Sequence, residues 1–241
     1  NHGQSIALAS KIFGVKANIC VPEGANPIKV AAIKMHGAVI HEYGKDFDEA
    51  VENGQRLAEE HGYRFINSGN EPLLIAGVGT IGLEIMEQQP DIDVVISPVG
   101  SGTGAGGTAT AIKALKPDVK AVSVQAEKAP SIYMSYKSGK IESTPTAETF
   151  ADGLATRNAF ELPLGILRSQ VDDFVLVSEE EMRHAIKLYL EHCHTVAEGA
   201  GAASLAAAIN LKDELKGKRV ALVLSGGNIT FDELMRSIES G

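Results

Sequence analysis

Short runs rich in Val and Ile alternate with longer stretches of helical periodicity from one end of the chain to the other. The strand-like runs are Ala17 to Val21, Ala38 to Tyr43, Arg64 to Asn67, Asp93 to Val99, Lys120 to Ala126, Phe174 to Val177 and Arg219 to Leu224. Helices are expected between them: over Asn26 to His36, closed by Gly37; over Lys45 to His61, closed by Gly62; and over Glu179 to Cys193. The last is opened by Ser178 with Glu181 three residues on, the spacing of a capping box. The chain begins inside such a pattern, with Ile6, Ala7, Ala9, Ile12 and Phe13 on one face of a helix, as though upstream sequence preceded Asn1.

Strand-helix-strand repetition with short connections predicts right-handed crossovers and a parallel sheet covered on both faces, the doubly wound α/β class. Asp93 to Val99 and Val220 to Ser225 are apolar without alternation, so both are expected as central strands of one sheet. The polar, turn-rich stretch Asn67-Ser-Gly-Asn-Glu-Pro72 suggests a boundary, giving a small domain over 1–68 and a large one over 69–241. Ile141 to Thr156 is the longest expected loop, and loops of that length in compact domains tend to be functional.

Composition narrows the partners. The 241 residues are 44% hydrophobic, enough for a substantial core, and carry a formal charge of −9 with acidic and basic residues interspersed. No basic face offers itself to nucleic acid or to an anionic membrane. Cys20 and Cys193 are the two cysteines and form no CxxC pair, which fits a reduced, cytoplasmic protein with both thiols buried as small apolar groups. His192-Cys193-His194 splays around a helix rather than gathering as a metal site.

The sharpest local feature is Val99-Gly-Ser-Gly-Thr-Gly-Ala-Gly-Gly107, between an apolar run and a helix. Glycines allow positive φ and close approach, and the free N–H groups of a helix start attract a phosphate, with Ser101 and Thr103 as further donors. Gly102, Gly104 and Gly107 also satisfy the dinucleotide spacing G-x-G-x-x-G, and Glu127 stands about 20 residues on, where a ribose-binding acid would sit. NAD is therefore a rival ligand. Against it, that fingerprint ordinarily opens its sheet, whereas three strand-like runs come first here. A Walker loop is excluded, because no Gly-Lys-Ser/Thr ending follows.

Several separated segments agree with one family. Asn1-His2-Gly3-Gln4-Ser5 resembles the Ser-x-Gly-Asn-His-Gly-Gln-Ala/Ser motif of fold type II pyridoxal-phosphate enzymes, whose fold is tryptophan synthase beta-like. The glycine run resembles their phosphate-binding loop, and Ser225-Gly226-Gly227-Asn228 their Ser-Gly-Gly-Asn motif. Thr149-Phe-Ala-Asp-Gly-Leu-Ala155 and Ala197-Glu-Gly-Ala-Gly-Ala202 resemble the threonine/serine dehydratase and serine racemase branch.

The resemblance implies pyridoxal 5'-phosphate as cofactor and a small amino acid as substrate. It gives Gly100, Ser101, Gly102 and Thr103 to the cofactor phosphate, and Ser225 to the pyridine nitrogen. Asn1 would meet the phenolic oxygen and, with His2, the substrate carboxylate; Gly153 and Glu198 would line the ring. Ser225 is neutral, so it stabilises a protonated ring little and favours elimination or proton return over transamination. Glu198 by itself reads as an acid at the start of a helix over Gly199 to Leu215.

Two departures qualify this. The family's Schiff-base lysine and the serine opposing it precede the Asn-His-Gly-Gln segment, and no lysine from Lys11 onward stands in a matching context, so the catalytic residues are expected before Asn1. Eukaryotic serine racemases hold a divalent ion with Glu and Asp where this chain has Gln125 and Ser131; without those carboxylates no metal is expected, although Glu127 lies close by. The expected activity is α,β-elimination from threonine, serine or a related β-hydroxy amino acid, of the catabolic type, because one short helix, Phe231 to Ser240, is all that follows the last motif. A serine-type racemase is the near alternative, an NAD-dependent oxidoreductase or a non-catalytic ligand-binding fragment the distant ones. A cytoplasmic homodimer is implied.

Overall fold

A computed structural model describes residues 1–240. The chain divides into two compact units, one comprising Asn1–Asn67 with Asn228–Thr230, the other Ser68–Gly227 with the helix that begins at Phe231.

The first unit runs α1 (His2–Phe13), β1 (Asn18–Val21), α2 (Pro27–Met35), β2 (Val39–Glu42) and α3 (Phe47–His61). β1 and β2 pair in parallel, Asn18 opposite Val39 and Val21 opposite Glu42. Ala7, Ile19 and Ile33 form the buried core, one residue from each of α1, β1 and α2. Its helix ends follow the sequence: Asn26 Oδ1 accepts from Ile28 N at 3.0 Å ahead of Pro27, and α1 and α3 close on Gly14 and Gly62 in left-handed geometry.

Arg64 to Asn67 forms no strand. Phe65 packs on Gly54 of α3, where an added Cβ would meet its ring at 2.9 Å, and the Ile66 carbonyl accepts from a side chain rather than from a ladder. Of the two apolar residues that suggested a strand, Phe65 serves local packing and Ile66 offers its carbonyl to His2.

The second unit begins with α4 (Pro72–Gln88) and continues β3 (Val94–Pro98), α5 (Thr103–Leu115), β4 (Lys120–Ala126) and α6 (Ser131–Ser138). After a 3₁₀ turn at Asp152–Leu154 come α7 (Glu161–Gln170), β5 (Asp173–Val177), α8 (Glu179–Cys193), α9 (Gly199–Asn210), α10 (Lys212–Leu215), β6 (Val220–Leu222) and α11 (Phe231–Ser240). The helix expected over Gly199 to Leu215 is thus broken at Leu211. The strands form one parallel sheet in the order β5-β4-β3-β6. Val95, Ala121 and Phe174 face a core completed by Ile112 of α5, Ile132 of α6 and Leu167 of α7, while α9 packs on β3, β4 and β5. Burying one such Ile or Phe side chain is worth about 1.5–3 kcal/mol, and burial on both faces is why β3 reads as an apolar run without alternation.

Two expectations are corrected by this sheet. β3 is central, but β6 pairs with β3 alone among the described strands and its residues are half-buried, so it is an edge strand. β3 is also the first strand, in chain order, of its own sheet, since β1 and β2 pair with each other. The earlier strand-like runs therefore do not count against a dinucleotide at this turn.

α4 and α5 pack closely because both carry glycine at the crossing. A Cβ on Gly82 would lie 2.6 Å from the Thr108 carbonyl oxygen, and one on Gly107 would collide with the Ile75 carbonyl. Packing thus demands part of the glycine run, besides any ligand. Among the described residues, no helix is long and apolar enough to cross a membrane.

Candidate functional site

The glycine turn leaves β3 where Val99 N donates to the Val124 carbonyl at 2.8 Å. Gly102, at φ +93°, caps α5, and the first helical bond runs from Gly106 N to Gly102 O at 2.9 Å. Helix geometry leaves the N–H groups of Gly102 to Ala105 without partners one turn back, and the positive end of the helix dipole stands behind them. Gly104 is exposed and no atom lies within 4 Å of the position its Cβ would take, so the helix start is open there. Gly106 instead abuts Ile166. The turn thus separates into glycines that shape and open it and glycines that admit neighbouring helices.

The hydroxyls of Ser101 and Thr103 both donate to the Ser68 carbonyl, at 3.2 and 2.6 Å, and stand 3.1 Å from each other. They are available at the turn but engaged. Gly100 is enclosed by the segment around the 3₁₀ turn: a Cβ on it would collide with the Gly153 carbonyl oxygen, and Thr156 Oγ1 donates to the Gly100 carbonyl at 3.3 Å. Gly153 in turn lies against Ala200 of α9, its Cβ position 2.9 Å from the Ala200 methyl.

Ser225 follows β6. β6 runs parallel to β3 with Leu222 opposite Ile96, and Val223 N donates to the Ile96 carbonyl at 3.0 Å, so Ser225 and Gly100 emerge at the same C-terminal edge of adjacent strands. Gly226 then meets the start of α9. Its carbonyl accepts from Glu198 N at 3.0 Å, and a Cβ on Gly201 would collide with that same oxygen. Glu198 is buried and caps α9 without a hydrogen bond from its side chain to the cap.

Gly100, Ser101, Gly102, Thr103, Gly153, Glu198 and Ser225 accordingly belong to one cluster of turns in the second unit. Asn1 and His2 belong to the first unit. Asn1 caps α1 and its Oδ1 accepts from Asn228 Nδ2 at 2.9 Å. His2 Nε2 stands 3.3 Å from the Ile66 carbonyl, and burial holds its imidazole below the usual histidine range.

Gln125 and Ser131 are both buried. Gln125 Oε1 accepts from Tyr133 N at 3.0 Å and Ser131 Oγ donates to the Thr156 carbonyl at 2.8 Å. Of the cysteines, Cys193 is exposed at the end of α8 rather than buried, and Cys20 is half-buried. His194 closes α8 with φ +51°. Among the described residues no three His, Cys, Asp or Glu side chains gather as a metal site. A groove of about 490 Å³ runs along β6, lined by Ile85, Ile92, Arg219 and Val220 to Leu222 and not by the turn residues or Ser225.

Sequence reasoning missed Ser68, Thr156 and Glu179. Ser68 acts through its main-chain carbonyl, which no side-chain pattern reveals. Thr156 marked only the end of a loop. Glu179 entered the sequence reading only as the first residue of a helix, yet its carboxylate accepts from Thr149 Oγ1 at 2.7 Å and from Phe150 N at 3.0 Å.

Residues 1–226 match the family described as "Pyridoxal-phosphate dependent enzyme". The chain is 44% identical to an L-threonine ammonia-lyase of Thermotoga maritima over 241 residues, all of this chain and 60% of that protein. It is 36% identical to the catabolic L-threonine dehydratase of Escherichia coli (strain K12) over 236 residues, 97% of this chain and 72% of that one. Among solved structures, a maize serine racemase matches with TM-score 0.89 and 30% identity, covering 99% of this chain and 74% of that one. The processed form of threonine deaminase isoform 2 from Solanum lycopersicum matches with TM-score 0.92 and 32% identity, covering 100% of this chain and 71% of that one. The chain spans 60% of the length of its Thermotoga relative.

Proposed function

The chain belongs to the pyridoxal-phosphate dependent enzyme family, and from that premise we propose that the whole protein is a threonine/serine ammonia-lyase, removing the elements of water from a β-hydroxy amino acid and releasing a 2-oxoacid and ammonia. The observation that carries the reading is the parallel pairing of β3 with β6, which brings the glycine turn and Ser225 to one edge of the sheet. In parallel sheets that carboxyl edge is where ligands bind.

The residues fit the cofactor. An open helix start at Gly104, with free N–H groups and two hydroxyls, Ser101 and Thr103, that a ligand could draw from the Ser68 carbonyl, suits a dianionic phosphate better than any apolar group. Gly100, Ser101, Gly102 and Thr103 would hold that phosphate, and Ser225 would stand at the ring nitrogen as a neutral hydroxyl. Gly153 and Glu198 would line the ring, Asn1 would meet the phenolic oxygen, and Asn1 with His2 would hold the substrate carboxylate. When bound, pyridoxal phosphate supplies an electron sink for the charge developing at the substrate α-carbon.

What this chain contributes is orientation. A neutral Ser225 leaves the nitrogen without a counter-anion, which limits how far charge is drawn into the ring and favours departure of a β-substituent over transamination. No residue among these 241 is assigned the role of base. The lyase reading draws support from relatives named as threonine ammonia-lyase or dehydratase at 36–44% identity. A racemase is the second reading, favoured by the likeness to the maize serine racemase. Against it, Gln125 and Ser131 bring no carboxylate where the racemase metal site is expected, and the Gln125 Oε1 and Ser131 Oγ oxygens are both engaged with main chain. The reading also takes the enzyme to be a cytoplasmic homodimer, in keeping with an exposed, unpaired Cys193.

Incubating the full-length protein with L-threonine and with L-serine, then assaying 2-oxoacid, ammonia and D-serine, tests the proposal. Equal amounts of 2-oxoacid and ammonia are expected, with D-serine a minor product. D-serine as the main product would favour the racemase, and nicotinamide-dependent turnover without 2-oxoacid formation would contradict both.

A further inference from the structure

Glu179 is 7% exposed although it sits in the first turn of a helix, where acids are usually solvated. It takes no part in the capping box, which Ser178 and Glu181 complete between themselves. Its two carboxylate oxygens are spent on Thr149 Oγ1 and Phe150 N, and Thr149 Oγ1 accepts in turn from Ala151 N at 3.1 Å. Hydrogen bonds to a charged acceptor are stronger than neutral ones, so the front of this irregular segment is held as firmly as a helix end.

One turn further along α8, the Arg183 guanidinium lies 4.3 Å from the Phe150 ring centroid while its Nε donates to Glu233 of α11 at 3.0 Å. Phe150 also borders the start of α9, where a Cβ on Gly199 would meet its ring at 2.7 Å. Three residues on, the Gly153 carbonyl closes over Gly100, and Thr156 holds the Gly100 carbonyl. The segment from Thr149 to Thr156 is therefore fixed to α8 at one end and to the glycine turn at the other.

We infer that Glu179 and Arg183 are positioning residues for the glycine turn, acting through the Thr149–Thr156 segment rather than by touching a ligand. The inference rests on the reading of that turn as the cofactor phosphate site. A buried carboxylate is a costly way to secure a connection that solvent could satisfy. Its placement makes sense if the segment must present Gly153 to Gly100 in one geometry.

The test uses the full-length protein with Glu179→Gln, Arg183→Lys and Thr149→Val. Three quantities are compared with wild type: the dissociation constant for pyridoxal 5'-phosphate, the thermal midpoint of the cofactor-free form, and its amide hydrogen exchange at residues 100–104. Glu179→Gln keeps the shape but can no longer accept at both oxygens. It is expected to raise the dissociation constant roughly tenfold and to speed exchange at 100–104 more than in β3 and β4. Arg183→Lys, which keeps the charge toward Glu233 but loses the flat face on Phe150, is expected to give an intermediate effect. Should Glu179→Gln not fold, Thr149→Val removes one of the same bonds and is expected to act in the same direction. A lowered midpoint with unchanged affinity and unchanged exchange at 100–104 would overturn the inference. If wild type fails to bind pyridoxal phosphate, the functional reading falls, yet faster exchange at 100–104 in the variants still upholds the positioning role.

Discussion

The carbonyl oxygen of Gly153 fills the space in which a side chain on Gly100 would begin. Two residues 53 positions apart are thereby locked face to face, and the first turn after β3 is closed on one side by main chain. Gly100→Ala must push that carbonyl away. The expected cost is about 1–3 kcal/mol of stability together with at least a tenfold loss of affinity for pyridoxal phosphate, read by thermal unfolding and by cofactor titration.

Gly104 makes the opposite case, since its Cβ position is empty and it lies within the first turn of α5. Gly104→Ala should stabilise the cofactor-free protein by up to about 1 kcal/mol through helix propensity. It should nevertheless weaken cofactor binding, because the methyl group would enter the space over the helix start. A variant that gains stability and binds the cofactor as well as wild type would contradict the placement of the phosphate there.

Thr108 is 1% exposed and its hydroxyl finds no partner in the α4–α5 packing. A buried hydroxyl without a hydrogen bond is a net loss, so Thr108→Val, nearly equal in shape, should raise stability by about 1 kcal/mol. Thermal and denaturant unfolding read this directly, and a destabilised variant would show that the hydroxyl has a partner.

The two thiols should react at different rates. Cys193 is exposed, whereas Cys20 is half-buried and burial pushes its thiol up, although Asn53 donates to its sulfur. Alkylation of the native protein at pH 8 should label Cys193 first, with Cys20 slower and accelerating more steeply as pH rises. Peptide mass spectrometry at timed intervals separates them.

His2 gives a pH dependence of known sign. Its folded imidazole titrates below the unfolded value of about 6.5, chiefly because of burial, so the unfolded state takes up the proton first. Its contribution to stability is present above that value and is lost as pH falls through it toward the lower folded one. Unfolding at pH 7 and pH 5 should therefore differ more in wild type than in His2→Gln. A His2 titration midpoint at or above 6.5 by NMR would reverse the expectation.

How much of this the sequence disclosed depends on whether a signal was local. The Ser178–Glu181 capping box and the apolar strand β3 fold as their residues demand, because backbone satisfaction and two-sided burial leave a mark in adjacent positions, whereas β4 is equally buried although Ser123 and Gln125 interrupt its apolar residues. β6 carries the same apolar run yet ends at the edge, since an apolar stretch says nothing of how many neighbours it will have. Phe65 and Ile66 suggested a strand, but Phe65 packs against Gly54 of α3 and the Ile66 carbonyl serves His2. Nor do glycines declare their use: Gly107 makes room for α4, Gly102 takes a positive φ, and only the packing distinguishes them. Nothing adjacent in sequence marks Glu179, because the segment it holds lies about 30 residues earlier in the chain.

The central claim is that the edge formed by the turns after β3 and β6 binds pyridoxal phosphate. The most direct measurement is the structure of the full-length protein with that cofactor bound. The phosphate oxygens are expected about 2.7–3.2 Å from backbone N–H groups within residues 100–104, with Ser225 Oγ facing the ring nitrogen. A phosphate bound elsewhere, or a dinucleotide lying along this turn with Ser225 uninvolved, would contradict the account.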